Sequence, residues 1–381
     1  MYMFAQARAA VLRYGYNTNA YLVLTPPCFE FFTTPGIDGV VAFQRYGGLW
    51  LCGGEPICAP EDFVPLAAAM RRAARGAGCA LAFLPTTPRA TALLTERLGF
   101  DHMKVGEDHF YDVAAWSPRG QRMKHIRANL NRAEREGVVV CRCVSDQITP
   151  EIRARVQEIV AAWYRTREIN ALSFLLGVHP LALLDDRRLY IAWWQGRIVG
   201  FLSCSPIPAR NAWYLEDSIR SEDAPVGTGE LLFAETIAAL HAEGAVYATG
   251  GLAALANSGP EFQSPAHRFA GWMFAKMHVH LNHFYHFQSL QFYKEKFGPS
   301  FTEDASFCWY PHGLWRPRLI VGVLNALDPQ SVAATLLSPL AHARRRTGAV
   351  RAGYTVGPPE MTHITLSPVQ DNHPIPPPEA E

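Results

Sequence analysis

Apolar and polar positions alternate weakly from Val40 to Tyr46, break at Gly47-Gly48, and resume from Leu49 to Cys52. A period of two on either side of paired glycines predicts a β-hairpin. From Glu61 to Arg75 the apolar positions recur at helical spacing, and Gly76 and Gly78 end the run. Cys79 to Leu84 then reads as a short buried strand, and Pro88 to Leu98 as a helix stopped by Gly99. A similar order returns later. Glu151 to Arg167 reads as a helix, Arg188 to Trp194 and Arg197 to Ser205 as a hairpin about Gln195-Gly196, and Ala212 to Arg220 as a strand. Glu230 to Ala242 follows as a helix stopped by Gly244, and Ala245 to Thr249 as a strand. Both halves give hairpin, helix, strand, although their residues do not match one another. The pattern predicts an α/β unit used twice.

Between the halves lies a charged helix, Pro118 to Glu136. Lys124, Arg127, Asn131 and Arg135 stand at i, i+3, i+7 and i+11, on one narrow stripe, with Ile126, Leu130 and Ala133 opposite. From Trp116 to Arg142 there are seven Arg or Lys and two Glu, so the segment carries +5. Such a stripe is either a solvated face or a surface that tracks phosphates.

Length and charge narrow the classes. A chain of 381 residues with 49% hydrophobic residues has room for two domains and a sizeable core. Its formal net charge of +1 means that any nucleic-acid contact must come from a local patch. Eight cysteines without a regular framework read as reduced thiols in a cytoplasm. The sequence from Met1 to Leu12 lacks a signal peptide's apolar run, and no segment offers the ~20 apolar residues of a spanning helix. Leu319 to Leu327 is apolar but stops at Asp328-Pro329, and Val332 to Leu340, mostly apolar, precedes Arg344-Arg345-Arg346. This stretch reads as a helical extension packed on the body or as a peripheral contact with anionic lipid. The proline-rich last thirty residues are expected to be disordered.

Five features can carry chemistry. Val226-Gly227-Thr228-Gly229 lies between a strand and a helix, where glycines and free amides suit an anion or simply make a tight turn. Asp217 and Arg220 end the preceding strand. In a regular strand they point to opposite faces, so they act together only where the strand bulges, and a structural ion pair is an equal reading. His278, His280, His283 and His286 lack an acidic or cysteine partner that would complete a metal motif, which favours aromatic packing beside Phe284, Tyr285 and Phe287. Lys294-Glu295-Lys296 sits between aromatics and suits either a phosphate or solvent. The fifth is the basic stripe.

Together these segments resemble the cytosolic domain of the aminoacyl-phosphatidylglycerol synthases, the multiple peptide resistance factor family, from about Tyr14 to Tyr310. Tyr14-Gly15-Tyr16-Asn17 is similar to the family's opening, and the run from Lys124 to Gly137 to its basic linker helix. Phe174 to Gly177, Asp217 to Arg220 with Pro225 to Thr228, and Asn282 to Leu290 leading into Phe292 to Phe297 resemble further blocks. The resemblance implies an α/β (α+β) fold of two tandem GNAT-like acyltransferase lobes joined by a basic helix. It implies lobes at 1–115 and 141–315, the linker at 116–140, a helical extension at 316–350 and a tail at 351–381. It also implies transfer of an amino acid from aminoacyl-tRNA to the hydroxyl or amine of a lipid or small-molecule acceptor. The ester is already activated, so no cofactor or metal is expected.

On this reading Asp217, Arg220 and Lys294 are catalytic. Glu216, Gly227, Thr228, Gly229, Tyr285 and Lys296 bind substrate, and Lys124, Arg127, Asn131, Arg132 and Arg135 bind tRNA. The protein is expected in the cytoplasm, with peripheral contact at the inner face of the membrane as a further expectation. Two departures stand out. Gly251-Leu252-Ala253-Ala254-Leu255 has alanine where the family usually has proline, and no segment of this sequence is expected to form the family's transmembrane helices. Acetyl-CoA enzymes of this fold place Arg or Gln ahead of the glycine turn, whereas Ala224 to Gly229 does not. An acyl-CoA transferase and a non-catalytic tRNA- or lipid-binding module are the alternatives.

Overall fold

The computed structural model describes residues 2–26, 29–166, 174, 177–254, 294–311, 322 and 326, all within the unit Met1–Thr335. The first half supplies α1 (Tyr2–Tyr14), β1 (Glu30–Phe32), β2 (Gly39–Tyr46), β3 (Leu49–Gly53), β4 (Ile57–Cys58), α2 (Phe63–Gly76), β5 (Ala80–Thr86), α3 (Pro88–Leu98) and β6 (Asp101–Asp112). The second supplies α4 (Lys124–Arg135), β7 (Val139–Cys143), α5 (Pro150–Arg165), β8 (Arg188–Trp194), β9 (Arg197–Ile207), β10 (Ala212–Arg220), α6 (Thr228–Ala242), β11 (Tyr247–Ala254) and β12 (Phe301–Tyr310).

Apart from the start of the basic helix, the predicted hairpins, helices and strands fall where the pattern puts them, to within a few residues at their ends. β2 and β3 pair antiparallel around Gly47 and Gly48, both at positive φ, and β3 runs parallel to β5 after the α2 crossover. In the second half β9 pairs antiparallel with β10, and β10 runs parallel to β11 after α6. Local chemistry fixes the helix ends. The Thr87 hydroxyl accepts from the Ala90 amide at the start of α3, and left-handed Gly99 ends it. The Thr149 hydroxyl does the same for α5, with Pro150 at its first position.

The strands of both halves join one mixed sheet in the order β1-β2-β3-β5-β12-β6-β11-β10-β9-β8-β7, with β4 beside β2. β12 lies antiparallel between β5 and β6, so a strand from beyond residue 300 sits among strands of the first half. β6 in turn pairs antiparallel with β11, the seam between the halves.

Alternate residues of the strands feed separate cores. Val40 and Ala42 pack with Ala7, Ala10 and Val11 of α1, while Val41 and Phe43 pack with Leu66, Met70 and Leu94 of α2 and α3. In the second half, Leu202 and Cys204 face the core built with α4 and α6, and Phe201 faces the one built with α5.

The basic helix begins at Lys124, not at Pro118. Arg127 donates to the carbonyls of Pro118 and Gly120, at 2.8 and 3.0 Å, and so ties the preceding loop to the helix. Ile126, Leu130 and Ala133 form its buried face as the spacing predicts. Among the described residues no helix is long and apolar enough to cross a membrane. The expected tail, the apolar stretches after residue 318 and the histidine run lie outside the described residues, apart from Gly322 and Ala326.

Candidate functional site

The parallel ladder between β10 and β11 is short. Only Ala212 to Tyr214 pair with Tyr247 to Thr249, although both strands continue. Each strand becomes irregular just beyond the ladder. β10 shifts register against β9 between Leu215 and Asp217, and β11 shifts against β6 between Thr249 and Leu252. Gly251 is left-handed there (φ +73°), and a Cβ on it would meet the Tyr214 ring at 2.4 Å, so only glycine fits. The two strands therefore part at their carboxyl ends, where open α/β sheets receive ligands.

The β10 bulge changes which side chains share a face. Leu215 packs in the core with α6, while Ile219 packs in the core with α5. Four residues apart in a regular strand they would share a face, so the extra residue has switched the phase. As a result Glu216 and Asp217 both reach Ser203 and Ser205, neighbours on one face of β9. The Ser205 hydroxyl donates to Glu216 Oε2 at 2.6 Å, and the Ser203 hydroxyl to Asp217 Oδ2 at 3.3 Å. Fully buried Arg187 donates to the same Glu216 oxygen at 2.5 Å. It is held in turn by the carbonyls of His179 and Ala182, at 2.6 and 3.1 Å.

Burial, and then the negative charge of Glu216, push the Asp217 carboxyl well above the usual carboxylate range, and Arg187 and Ser203 only partly oppose them. Burial and the neighbouring carboxylate thus favour the protonated form of Asp217. Glu216 Oε1 is buried and has no hydrogen-bond partner among the described residues. A buried acceptor without a partner is costly, and it suits a donor carried by a ligand.

Lys294 serves the other strand. It is buried, and its Nζ donates to the carbonyls of Gly251 and Leu252 at 3.0 and 2.6 Å, at the β11 bulge. Burial draws its pKa down to about 8, against the pull of Asp108. Asp108 accepts from the Thr18 hydroxyl at 2.6 Å, and burial raises its pKa. The charge that acts on Lys294 is therefore Asp108, whereas Asp217 answers to Glu216 and Arg187. Asp217 and Arg220 lie on β10, whereas Lys294 precedes β12 and is bound to the carbonyls of β11.

Arg220 does not meet its condition. The bulge precedes Asp217, and the ladder runs without interruption from Asp217 opposite Ser203 to Arg220 opposite Gly200. Arg220 is exposed and lies on the opposite face from Asp217, so the expectation that the two act together is corrected by the position of the bulge.

The glycine turn has a packing explanation. Gly227 is left-handed (φ +98°), and a Cβ on it would lie 2.0 Å from the Asn129 carbonyl oxygen of α4. The Thr228 hydroxyl is buried and donates to the Pro225 carbonyl at 2.7 Å, and Gly229 is half-buried in the first turn of α6. Glu230 accepts from the Asn129 amide at 2.8 Å and from Lys296 at 3.1 Å. Burial opposes its charge, but the Asn129 amide and the Lys296 ammonium outweigh it and lower its pKa. Lys296 thus joins α6 to α4 through Glu230. Tyr285 lies outside the described residues.

On α4, Lys124, Asn131, Arg132 and Arg135 are exposed, while Arg127 is half-buried on its two carbonyls. Arg132 pairs with Glu136 at 2.7 Å, and Arg135 donates to the Asn131 carbonyl at 3.0 Å. Sequence reasoning missed Arg187, Ser203 and Ser205. Arg187 looks like a strand-edge charge beside Arg188, and serines in an apolar strand carry no signal until the bulge sets carboxylates against them.

The family described as phosphatidylglycerol lysyltransferase, C-terminal, matches residues 8–308. A phosphatidylglycerol lysyltransferase of Staphylococcus xylosus is 23% identical over 306 residues, which are 77% of this chain and 32% of that protein. One of Bacillus subtilis (strain 168) is 25% identical over 274 residues, 71% of this chain and 31% of that protein. The chain thus spans about a third of the length of the curated relatives it matches. The structure of L-PGS from Bacillus licheniformis superposes with a TM-score of 0.69 at 20% identity, covering 90% of this chain and 97% of that one. The C-terminal domain of a putative lysylphosphatidylglycerol synthetase from Agrobacterium fabrum gives 0.68 at 22% identity, covering 88% and 96%. These structures share the fold, and the match over residues 8–308 takes in the basic helix, both bulged strands and most of β12. The chain belongs to the phosphatidylglycerol lysyltransferase, C-terminal, family.

Proposed function

We propose that this protein moves an aminoacyl group from aminoacyl-tRNA to a hydroxyl of a phosphatidylglycerol-like lipid, in the cleft where β10 and β11 part. The observation that carries the reading is the carboxyl pair on the β10 bulge, with Glu216 Oε1 unpartnered and Asp217 raised. The relatives' being phosphatidylglycerol lysyltransferases supports the lipid acceptor. In the proposed step the acceptor hydroxyl oxygen attacks the ester carbonyl carbon, and the bond from that carbon to the tRNA ribose oxygen breaks. Glu216 takes the ammonium of the aminoacyl group. Asp217 gives its proton to the departing ribose oxygen and regains one from the attacking hydroxyl, so the proton count balances. Lys294, which is tied to the β11 carbonyls, holds the shape of the cleft.

The test incubates the protein with lysyl-tRNA and phosphatidylglycerol vesicles and follows labelled lysine into lipid. Label in a water-soluble amine or alcohol would move the acceptor to a small molecule. Turnover of acetyl-CoA without tRNA would replace the donor, and no turnover with either donor would leave a binding module.

The exposed cations of α4 support the tRNA donor. A tRNA-binding stripe made by Lys124, Arg132 and Arg135 releases counterions from the phosphates it covers. Changing all three to alanine is expected to flatten the dependence of log K on log salt by roughly 0.7–0.9 for each phosphate no longer neutralised. Arg127→Ala is expected instead to loosen the 118–123 loop and to change stability. A filter-binding series across salt concentrations checks this, and an unchanged slope in the triple variant would remove α4 from the tRNA surface.

A further inference from the structure

The segment that leads into β8 reads Asp185-Asp186-Arg187-Arg188, and its side chains reach four different places. Asp185 accepts from the Ser145 hydroxyl at 2.8 Å, and Arg188 donates to Glu243 at 3.0 Å. Asp186 turns to the first half. Arg8 of α1 donates to it in a fork, through Nε at 2.6 Å to one oxygen and through a terminal nitrogen to the other. The Tyr21 hydroxyl donates to it as well, at 3.0 Å. Arg187 turns to the second half, where it meets Glu216, Ser205 and the carbonyls of His179 and Ala182. Adjacent residues thus join the first half to the carboxyl pair of the β10 bulge.

The join is built to hold one shape. Tyr21 is fully buried, and burial, then the charge of Asp186, push its phenol pKa up, so it remains a donor. The Asp186 side chain is only 10% exposed, and a carboxylate at that depth needs its donors. The fork to Arg8 also fixes the orientation of the carboxylate. Leu183, three residues earlier, is left-handed (φ +51°), a costly conformation for a bulky side chain, and it packs on the core that α1 shares. Consecutive Cα atoms lie about 3.8 Å apart, so a fixed Asp186 fixes the root of the Arg187 side chain.

We propose that Arg8 and Tyr21 of the first half are positioning residues for the carboxyl pair of the second, acting through Asp186 and Arg187. Held in this way, Arg187 occupies Oε2 of Glu216 and leaves Oε1 to a ligand. The same arginine opposes the charge that raises Asp217. The consequence for turnover rests on the transfer reading above, whereas the effect on the carboxyl pair does not.

The test compares the whole chain with Arg8→Ala and Tyr21→Phe. Asp217 faces Glu216 beside it on β10, Arg187 from the segment before β8, Tyr164 from α5 and the Ser203 hydroxyl of β9. Loosening Arg187 withdraws the cation from this set, so the pair should hold its last proton to higher pH. A carboxyl carbon titration by NMR, assigned with Asp217→Asn, is expected to move up by about 0.5–1 unit in both variants, a fraction of what a nearby opposite charge imposes. The alkaline limb of the transfer rate should move up by the same amount, because transfer needs the Asp217 proton. Arg8→Lys, which keeps the charge without the fork, should lie between Ala and the parent. Arg13→Ala, at the other end of α1 and paired with Asp38, should leave the titration unmoved. The Arg8 side chain is 41% exposed, so Arg8→Ala carries the test even if Tyr21→Phe folds poorly. A lower melting temperature with an unmoved carboxyl titration would make the contact an adhesive between the halves and overturn the proposal. The titration needs no turnover. A parent that transfers nothing fails the transfer reading alone, and a parent that transfers while the titration stays put fails this inference alone.

Discussion

Asp217→Asn is expected to lower aminoacyl transfer about 10²-fold or more while the protein stays folded. Positioned proton transfer contributes about 10²–10⁴-fold in rate. Asparagine keeps the shape of a carboxyl and can still accept from Ser203, but it cannot hand over and regain a proton. The variant also changes how stability responds to pH. The native state holds the Asp217 proton far more tightly than an unfolded chain does. Native stability therefore falls as pH rises from the ordinary Asp value of about 3.9 through the raised native value. Asparagine has no such loss, so the variant should match or exceed the parent's stability at the alkaline end of a urea-denaturation series. Transfer at the parental rate would remove Asp217 from the chemistry. A variant as pH-sensitive as the parent would mean that the carboxyl is not held protonated.

Gly227→Ala should produce the largest stability loss of any single methyl added to the described residues of α6 or its turn. The position is left-handed, and the new Cβ would press on a backbone oxygen 2.0 Å away that no rotamer change can move. Unfavourable φ and overpacking together cost roughly 2–4 kcal/mol. Gly137→Ala isolates the clash. Gly137 is also left-handed (φ +81°), but nothing lies within 4 Å of its Cβ position, so only the conformational cost of roughly 1–2 kcal/mol remains. Equal losses for the two variants, read from denaturation midpoints, would show that α4 gives way and that the close approach of α4 and α6 is not tightly held.

Much of the scaffold is legible from the chain alone. The β2–β3 and β8–β9 hairpins announce themselves by glycine turns, and α2, α3 and α6 by helical spacing and glycine stops. β6 escapes because its polarity hides the strand. Glu107, Asp108 and His109 are buried in mid-strand, and Glu107 is neutralised by Lys104 at 2.6 Å and Asp108 capped by Thr18. No alternation survives such a row. β12 has a similar difficulty, since Glu303 and Asp304 find Arg210 and Lys104 only once the chain has folded. Of the β10 carboxyl pair the residues are legible, but their partners Arg187, Ser203 and Ser205 and the geometry are not. Asp217 is visible as an acid at a strand end. That Glu216 shares its face depends on one register shift against β9, a hydrogen-bonding event with no local signature. Likewise the glycine turn offers an anion site by composition, and the carbonyl of Asn129, nearly a hundred residues earlier, explains Gly227 instead.

The place of β12 bears on how this molecule is made. During synthesis, β5 and β6 leave the ribosome some two hundred residues before the strand that separates them in the finished sheet. Until residue 310 emerges, both carry unpaired edges, open to the wrong neighbour or to another nascent chain. Closing that gap joins contacts very distant in sequence, which slows folding. A fragment that stops at the linker would keep α1, α2 and α3 yet lack the middle of its own sheet. The two halves are therefore bound to mature together, and a holdase that shields β5 and β6 would be expected to raise the yield of native protein more than one acting on the second half.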